Sequence, residues 1–493
     1  MCDKKLNNKI YRVENFLHIK IILSRISMEN SNENKQHVSV VICGHVDSGK
    51  STTTGHLLFE LGGISPRDME KMKKEADEMG KGSFCYAFFM DKTKEERSRG
   101  ITILCTTKDF YTPKYHYTII DAPGHRDYMK NAISGASQAD VAVLMVPADG
   151  NFAVSLAKGD HKSEVKGQTR SHAELLNLLG VKQLIVGVNK MDCDLAGYSE
   201  SRFNEVKDEV INTLVKVGWK KEFIQQSVPI IPISGWQGDN LFKKSDKMPW
   251  WNGVDTKCLD GTTCHIETLH DALDNYVKIP NRPVNKPVRM PVSGVHKIRG
   301  VGDVITGKVE QGTVRTGMEV VFLPTHTDTL ACTGKVFSIE MHHRSVPEAE
   351  CGFNVGLCIK GLNKDYLPKT GDVMVLKSDS TLRTPKRFVC QVQMLDHPGE
   401  LKPGYCPIIY CRTAKAPCKM VEIRWKKGKE TGNKQVDNPP FIKTNEMACI
   451  VFEVDPKHPI VVDKFDSTEV LGRVAVMDGN QCVMLGRITD VEY

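Results

Sequence analysis

No run of about 18 apolar residues occurs in the 493-residue sequence, so no segment offers a helix able to cross a bilayer, and a soluble protein is expected. None of the 16 cysteines forms a CxxC pair. That argues against a zinc ribbon or a thioredoxin-type site and points to reduced thiols in the cytoplasm. Charge of one sign is hardly in excess: 67 Lys and Arg against 60 Asp and Glu leave a net +7. A histone-like polycation is excluded, and any contact with nucleic acid must rest on local basic faces. An internal repeat is also lacking. What is present is core material, 40% hydrophobic residues in a chain too long for one core, which predicts about two to four domains.

Residues 1–27 carry Lys4, Lys5, Lys9, Arg12, Lys20 and Arg25 against Asp3 and Glu14. The apolar run from Phe16 to Leu23 is broken by His18 and Lys20, too short for a span and too interrupted for a signal-peptide core. A transit peptide shares this basic, acid-poor character. The polar stretch after Met28 leads directly into the first strand-like run, so initiation at Met28 gives a clean start, and residues 1–36 are read as an extension, disordered or not translated.

From His37 the chain alternates. Val38 to Cys43, Tyr117 to Ile120, Val141 to Val146, Leu184 to Val188 and Val228 to Ile233 are short, β-branched apolar runs. Longer stretches with helical spacing, such as Ser51 to Leu61 and Thr169 to Leu179, separate them. This predicts parallel strands with crossover helices, a doubly wound α/β domain over 37–280. Pro280, Pro283 and Pro287 then prevent a continuing helix and mark a linker. Beyond it, Val304 to Val309, Met318 to Leu323, Lys335 to Glu340 and Asn354 to Ile359 are glycine-punctuated strands, predicting an antiparallel β-barrel over 288–378 and, after a break near 377–385, a second over 382–493.

Gly44-His45-Val46-Asp47-Ser48-Gly49-Lys50-Ser51-Thr52 matches GxxxxGK[ST] between a strand and a helix. The glycines let the loop turn its N–H groups inward, Lys50 reaches the β and γ phosphates, and the Ser51 hydroxyl holds Mg²⁺. Asp121, ending a strand, suits a water-mediated magnesium contact, and Gly124 lets its N–H approach the γ phosphate. Thr102 supplies a second hydroxyl for the metal. Loss of the γ phosphate would release both loops, an order–disorder switch. His125 is positioned to orient the attacking water. Asn189-Lys190-Met191-Asp192 follows another strand, where open α/β sheets bind ligands. A carboxylate at Asp192 can accept from both N1–H and the 2-amino group of guanine, and adenine offers neither. Lys190 can cover the ring face, and Ser234-Gly235-Trp236 can offer backbone N–H groups to guanine O6. Each short motif alone has a surface-turn explanation; their order and strand context outweigh it.

In order, GHVDSGKST at 44–52, RGITI at 99–103, DAPGHRDYMKN at 121–131, NKMD at 189–192 and SGW at 234–236 resemble the guanine-nucleotide motifs of the translational GTPases, specifically the elongation factor Tu / elongation factor 1-alpha family. The resemblance runs from about residue 37 to 493 and includes GDVITGKVEQG at 302–312, SIEMHH at 338–343, CRTAKAPC at 411–418 and LGRVAV at 471–476. It implies an α/β P-loop GTPase domain followed by two antiparallel β-barrel domains, with GTP/GDP and Mg²⁺ as cofactors. It further implies a monomer that carries aminoacyl-tRNA to the ribosomal A site, hydrolyses GTP on decoding and is recharged by a guanine-nucleotide exchange factor. Glu340 and Asn354 match family positions near the terminal adenosine and the aminoacyl group. There are departures: Ser293-Gly294 stands where an acidic residue usually precedes the valine at 295, Asp478-Gly479-Asn480-Gln481 replaces a basic segment, and Leu104-Cys105 also differs. With Gly150-Asn151-Phe152, Trp250-Trp251 and GVGDVITG at 300–307, they point to the elongation-factor-like branch.

Between Lys415 and Lys434 seven basic residues face only Glu422 and Glu430, a local excess suited to sequence-independent phosphate contacts or simply a solvated loop. Trp250 and Trp251 suit either packing or stacking on a partner. Competing functions are a termination or ribosome-rescue GTPase, a sulfate adenylyltransferase subunit and a GTP-gated cytoskeletal scaffold. The base-choosing role of Asp192 has a direct test. Asp192→Asn is expected to weaken GTP by about 10²-fold or more and to favour xanthosine triphosphate, whose altered edge accepts from the amide. An unchanged base preference in competition binding would reject the assignment.

Overall fold

A computed structural model describes residues 35–493 except 126–127, 137–138, 158–166, 328, 342–343, 364, 396, 398, 433 and 480, and leaves out the side chains of 129–130, 133–134 and 178. The readings of residues 1–27 and of Met28 as a start lie outside the described residues. So do Arg126, Asp127, His342, His343 and Asn480 of the quoted motifs.

The first unit is a six-stranded sheet of β1 (Gln36–Gly44), β2 (Thr106–Tyr111), β3 (Tyr115–Asp121), β4 (Val141–Pro147), β5 (Leu184–Asn189) and β6 (Ile230–Pro232), in the order β2-β3-β1-β4-β5-β6. β3, β1, β4, β5 and β6 pair in parallel, with Val40 opposite both Ile119 and Val141, and Val186 opposite Ile230. Every residue of β4 and β5 is buried, as expected of strands covered by helices on both faces. β2 is antiparallel and adds an edge strand that the apolar pattern does not announce, because Thr106–Tyr111 opens with four polar residues. A hairpin of β7 (Val254–Lys257) and β8 (Thr263–Ile266) packs beside the sheet. Trp250 and Trp251 are packing residues: their ring nitrogens donate to Tyr198 O and Glu267 O, each at 2.8 Å, and both rings lie against Phe203.

The second unit is a closed barrel of β9 (Met290–Ile298), β10 (Gly302–Lys308), β12 (Glu319–Leu323), β13 (Thr333–Met341), β16 (Asn354–Lys360) and β17 (Val373–Leu376). Its order is β12-β17-β9-β10-β16-β13, and β12 pairs with β13 to close the ring. β14 (Arg344–Val346) extends β13, while β11 (Thr313–Arg315) and β15 (Glu348–Glu350) form a separate ribbon. The third unit closes the same way from β18 (Arg387–Met394), β19 (Ile408–Cys411), β20 (Ala414–Lys427), β22 (Met447–Val454), β23 (Arg473–Asp478) and β24 (Gln481–Glu492), with β21 (Val436–Asp437) on β20. Here alternate residues are buried, as along β20, the signature of a barrel wall with one wet face. Lys426, one of the seven basic residues noted above, points inward and pairs with Glu446 at 2.9 Å, so it cannot belong to an outer basic face.

The units are tied together by charge and by packing. Arg282, in the proline-rich connection, bonds the His37 carbonyl and lies 3.6 Å from Asp140, which also meets Lys308 of β10 at 3.4 Å. Arg412 of the third unit pairs with Glu310 of the second at 3.0 Å. Leu395, Ala475, Met477 and Leu485 of the third unit join the hydrophobic cluster of the first.

Within the first unit, helix Lys50–Glu60 approaches helix Ala87–Met90 so closely that a Cβ on Gly55 would lie 2.0 Å from the Tyr86 carbonyl oxygen. His56 stacks on Tyr86 with ring centroids 4.1 Å apart and bonds Gly235 O through Nδ1 at 2.9 Å. Gly55→Ala is therefore expected to destabilise the chain by about 1–3 kcal/mol through overpacking. The check is a chemical denaturation curve, and an unshifted midpoint would contradict the close approach.

Candidate guanine-nucleotide site

The phosphate-facing loop gets its shape from a few constrained positions. Gly44 has φ 143° and its Cβ position is filled by Met145 O at 2.3 Å; Asp47 and Gly49 have φ 59° and 84°. Val46 N–H donates to Gln168 Oε1 at 3.0 Å and His45 N–H to Thr169 Oγ1 at 3.2 Å, so the helix Gln168–Leu179 braces the loop from behind. Lys50 is 7% exposed and its ammonium donates to His45 O at 2.7 Å. Burial lowers its pKa, with Asp121 opposing.

The base-reading loops meet at Asn189. Its amide donates to Ser48 O at 2.8 Å and its oxygen accepts from Gly235 N–H at 2.7 Å, so one side chain joins the phosphate loop to Ser234-Gly235-Trp236. This uses one of the three N–H groups expected to face guanine O6, and Ser234 N–H goes to Asp239 O at 3.1 Å. Asp192 accepts from Ser234 Oγ at 2.6 Å, leaving its second carboxylate oxygen for a ligand. Lys190, at φ 65°, forms an ion pair with Asp149 at 2.8 Å. Asp149 is a residue the sequence reading did not single out, and it holds the lysine beside the base-reading loop.

The third group surrounds Ser51. Thr102 Oγ1 lies 3.1 Å from Ser51 Oγ and donates to Asp91 Oδ1 at 3.1 Å. The segment is held there by Thr93, which caps helix Lys94–Arg99 with Glu96, while Glu96 Oε1 accepts from Ile103 and Leu104 N–H. Gly100, at φ 72°, ends the helix. Asp121 is fully buried and neither carboxylate oxygen has a protein partner in hydrogen-bonding geometry. A Cβ on Gly124 would come 2.4 Å from Lys50 Nζ. Gly124 and His125 line a cavity of about 60 Å³ with Lys50, Ser51, Asp91 and Thr102. His172, 1% exposed and held neutral with its pKa lowered to about 3 by burial and then by Lys50, bonds the Gly124 backbone.

Asp91 and His172 were missed in the sequence. His172 lies within helix Gln168–Leu179 and Asp91 in the extended link between helices Ala87–Met90 and Lys94–Arg99, neither with a motif around it, and only folding brings them to the phosphate loop. The Ser51, Thr102, Asp91 and Asp121 set offers oxygen donors alone, the chemistry of a hard divalent cation. The orphaned carboxylate of Asp121 and the buried Lys50 fit a magnesium-bound polyphosphate.

Glu340 and Asn354 lie on the second unit. Glu340, Gly356, Thr306 and Gly294 face one another in register across β13, β16, β10 and β9, with Asn354 opposite Lys308 in the next row. This is the outer face of the barrel, since the alternate residues Ile339, Val355, Leu357 and Ile305 are its core. At Gly294, where the family resemblance calls for an acid, a Cβ would meet His296 Nε2 at 2.7 Å and Thr306 Oγ1 at 2.9 Å.

Burial, followed by the charge of Asp121, pushes the Asp91 carboxyl up to about 7, and burial pushes Asp121 up to about 6 against the opposing Ser51 and Lys50. Both lie above the ordinary 3.8, so the folded, ligand-free chain binds more protons than the unfolded chain in between. The stabilisation is fully present below about pH 4 and is lost as pH rises through about 6 to 7. Against Asp91→Asn, the ligand-free wild type is expected to lose thermal stability across that window. Magnesium–nucleotide binding, which requires ionised carboxylates, should release protons near pH 6 to 7. Thermal scans and calorimetry in buffers of different ionisation enthalpy measure both, and a wild-type minus variant difference that grows with pH would contradict the assignment.

Comparison with known proteins agrees with this geometry. Residues 35–279 match the family model described as elongation factor Tu GTP binding domain, 302–375 elongation factor Tu domain 2, and 387–489 the GTP-eEF1A C-terminal domain-like family. The chain is 44% identical to elongation factor 1-alpha of Onchocerca volvulus over 460 residues, covering 93% of this chain and 94% of the relative. It is likewise 44% identical to the oocyte form from Xenopus laevis over 459 residues, 93% and 95% of the two chains. Among solved structures, the S. cerevisiae Ski7 GTPase-like domain bound to GTP shares the fold, with a TM-score of 0.72 at 18% identity over 94% of this chain and 98% of that one. The chain is a GTPase and belongs to the elongation factor 1-alpha / elongation factor Tu family of translational GTPases.

Proposed function

We propose that this GTPase delivers aminoacyl-tRNA to the ribosomal A site in its GTP form and hydrolyses GTP on decoding. The observation that carries the reading is the docking of Thr102 between Ser51 and Asp91 beside the Gly124-His125 loop. Both phosphate-sensing segments thereby converge on one small cavity in a chain whose two barrels pack on the same domain. In this reading GTP is held by residues 44–52, Asp121, Gly124, Asn189, Lys190, Asp192 and Ser234 to Trp236. Ser51, Thr102 and Asp121, with Asp91, would hold Mg²⁺, which when bound would neutralise phosphate charge. Lys50 pairs with the transferred phosphoryl group, and His125 positions the attacking water. The working units are 37–280, 288–378 and 382–493.

The charged 3′ end of tRNA lies along the outer row of the first barrel. Gly356 leaves it room between Glu340 and Thr306, and Asn354 lies at its side. Basic residues of β20 and the following loop, Lys426 excepted, contact tRNA phosphates without reading sequence. The chain acts as a cytoplasmic monomer and is recharged by an exchange factor.

A deacylation-protection assay with charged tRNA tests the proposal. Protection is expected with a non-hydrolysable GTP analogue and to fall about tenfold or more with GDP, as a γ-phosphate-dependent switch requires. Equal protection in both states, or none in either, refutes delivery, and GTP-dependent capture of a release-factor-like protein instead would favour termination or rescue. His125→Ala should retain GTP and tRNA binding while slowing ribosome-stimulated hydrolysis about 10²-fold or more; normal turnover would reject its role.

A further inference from the structure

The β7–β8 hairpin brings together two thiols that the nucleotide chemistry does not use. Thr256 faces Cys264 across the ladder, and Cys258 follows the end of β7, its N–H donating to Thr262 O at 2.7 Å. Cys258 and Cys264 are therefore diagonal neighbours on one face. Their sulfurs are 3.3 Å apart, with Cys258 Sγ also near Asn275 O at 3.8 Å and Cys264 Sγ near Thr256 O at 3.7 Å. Cys258 is 4% exposed, whereas Cys264 is partly exposed, so an oxidant reaches the second sulfur first.

We propose that Cys258 and Cys264 form a reversible oxidation site, converted by a hydroperoxide into a disulfide that staples the two strands of the hairpin to each other. In the first step the Cys264 thiolate attacks one peroxide oxygen. The O–O bond breaks, Cys264 becomes a sulfenic acid, and the other oxygen leaves protonated as water, or as an alcohol from an organic peroxide. In the second, the Cys258 sulfur attacks the Cys264 sulfur, the S–O bond breaks, and hydroxide departs with the Cys258 proton as water. The two thiols lose two electrons and the peroxide gains them; a dithiol reverses the change.

The geometry asks for little movement. A disulfide needs the sulfurs about 2.05 Å apart, and the closure falls on the turn 258–262, where Gly261 has φ 85°. Burial, then the neighbouring Cys258, pushes the Cys264 thiol up to about 12 against the weaker opposing pull of Lys278 and Lys114. Thiolate is scarce at neutral pH, so the pair responds slowly, to sustained oxidant. The stapled turn touches the segment that leaves the GTPase domain: Asp260 lies 3.5 Å from Lys278, just beyond the helical turn Ala272–Tyr276 and before the connection to the first barrel. Neither cysteine lines the nucleotide cavity.

The sequence makes the test clean, because Cys258 to Lys278 contains no internal Lys or Arg and forms one tryptic peptide. The full-length chain is treated with hydrogen peroxide, alkylated under denaturing conditions and digested. The expected peptide is lighter by two hydrogens and unalkylated at both sulfurs, and prior dithiothreitol restores both alkylation sites. Cys264→Ser should retain nucleotide binding and leave Cys258 alkylated after the same treatment. Because that variant can fail to fold, the wild type is also equilibrated in glutathione buffers, native and in urea. The disulfide should be favoured about tenfold or more in the native chain, the sense expected when the fold holds the sulfurs together. Two alkylated cysteines after peroxide, over-oxidation of Cys264 without a bond, or a constant no larger in the native chain would each overturn the proposal.

Discussion

Everything in the nucleotide site follows from placing two opposite charges where water cannot reach them. Lys50 and Asp121 are buried beneath the same loop, and the carboxylate has no protein donor in hydrogen-bonding geometry. An ion held inside without a full set of partners is costly. The protein lowers the cost by raising the pKa of Asp121 and of nearby Asp91, so that part of the negative charge is absent when no cation is there. Under the proposed function, a polyphosphate with its divalent ion would supply the missing partners. The site is thus organised around the ligand's charge and not around a preformed protein ion pair.

The loops around the site and the joints between the three units are held in different ways. Thr102 reaches the phosphate loop only because Glu96 folds the segment 93–104 around its own carboxylate, and the Gly124 loop rests on neutral His172. Both segments are fixed by a few polar contacts instead of an apolar core, which makes them the parts of the domain able to rearrange at modest cost. The barrels are joined to the domain by different means. Asp140 is shared by Arg282 and Lys308, Glu310 pairs with Arg412, and the side chains of the third unit enter the main hydrophobic cluster. A cavity of about 200 Å³ lies where the three units meet, lined by these same charged residues.

Particular elements show how far a linear reading reaches. The parallel strands were legible because each is a continuous apolar run, the pattern that two-sided burial requires. β2 was not, since an antiparallel edge strand with one wet face looks like ordinary polar sequence. The barrels were legible from short strands and glycine punctuation, but the pairs β9–β17 and β18–β24 join strands from opposite ends of each barrel's sequence, a partnership no local signal states. Trp250 and Trp251 left packing and partner-stacking both open, and Phe203 with two backbone carbonyls decides for packing.

What the sequence determined by itself was the family, through motifs of contiguous residues: the glycine-rich loop with Lys50 and Ser51, and the run that ends in Asp192. In each, neighbouring side chains and backbone conformation act together within one turn, so spacing alone encodes the geometry. Only the tertiary structure decided which distant groups complete them. Asp91, in a link between two short helices, and His172, in a helix, stand in stretches that say nothing about phosphate, and Lys426 belongs to a basic run yet turns inward to Glu446. The physical reason is that burial and electrostatic partnership depend on distances through space, and the chain fixes those only when the sheet and the two barrels have closed.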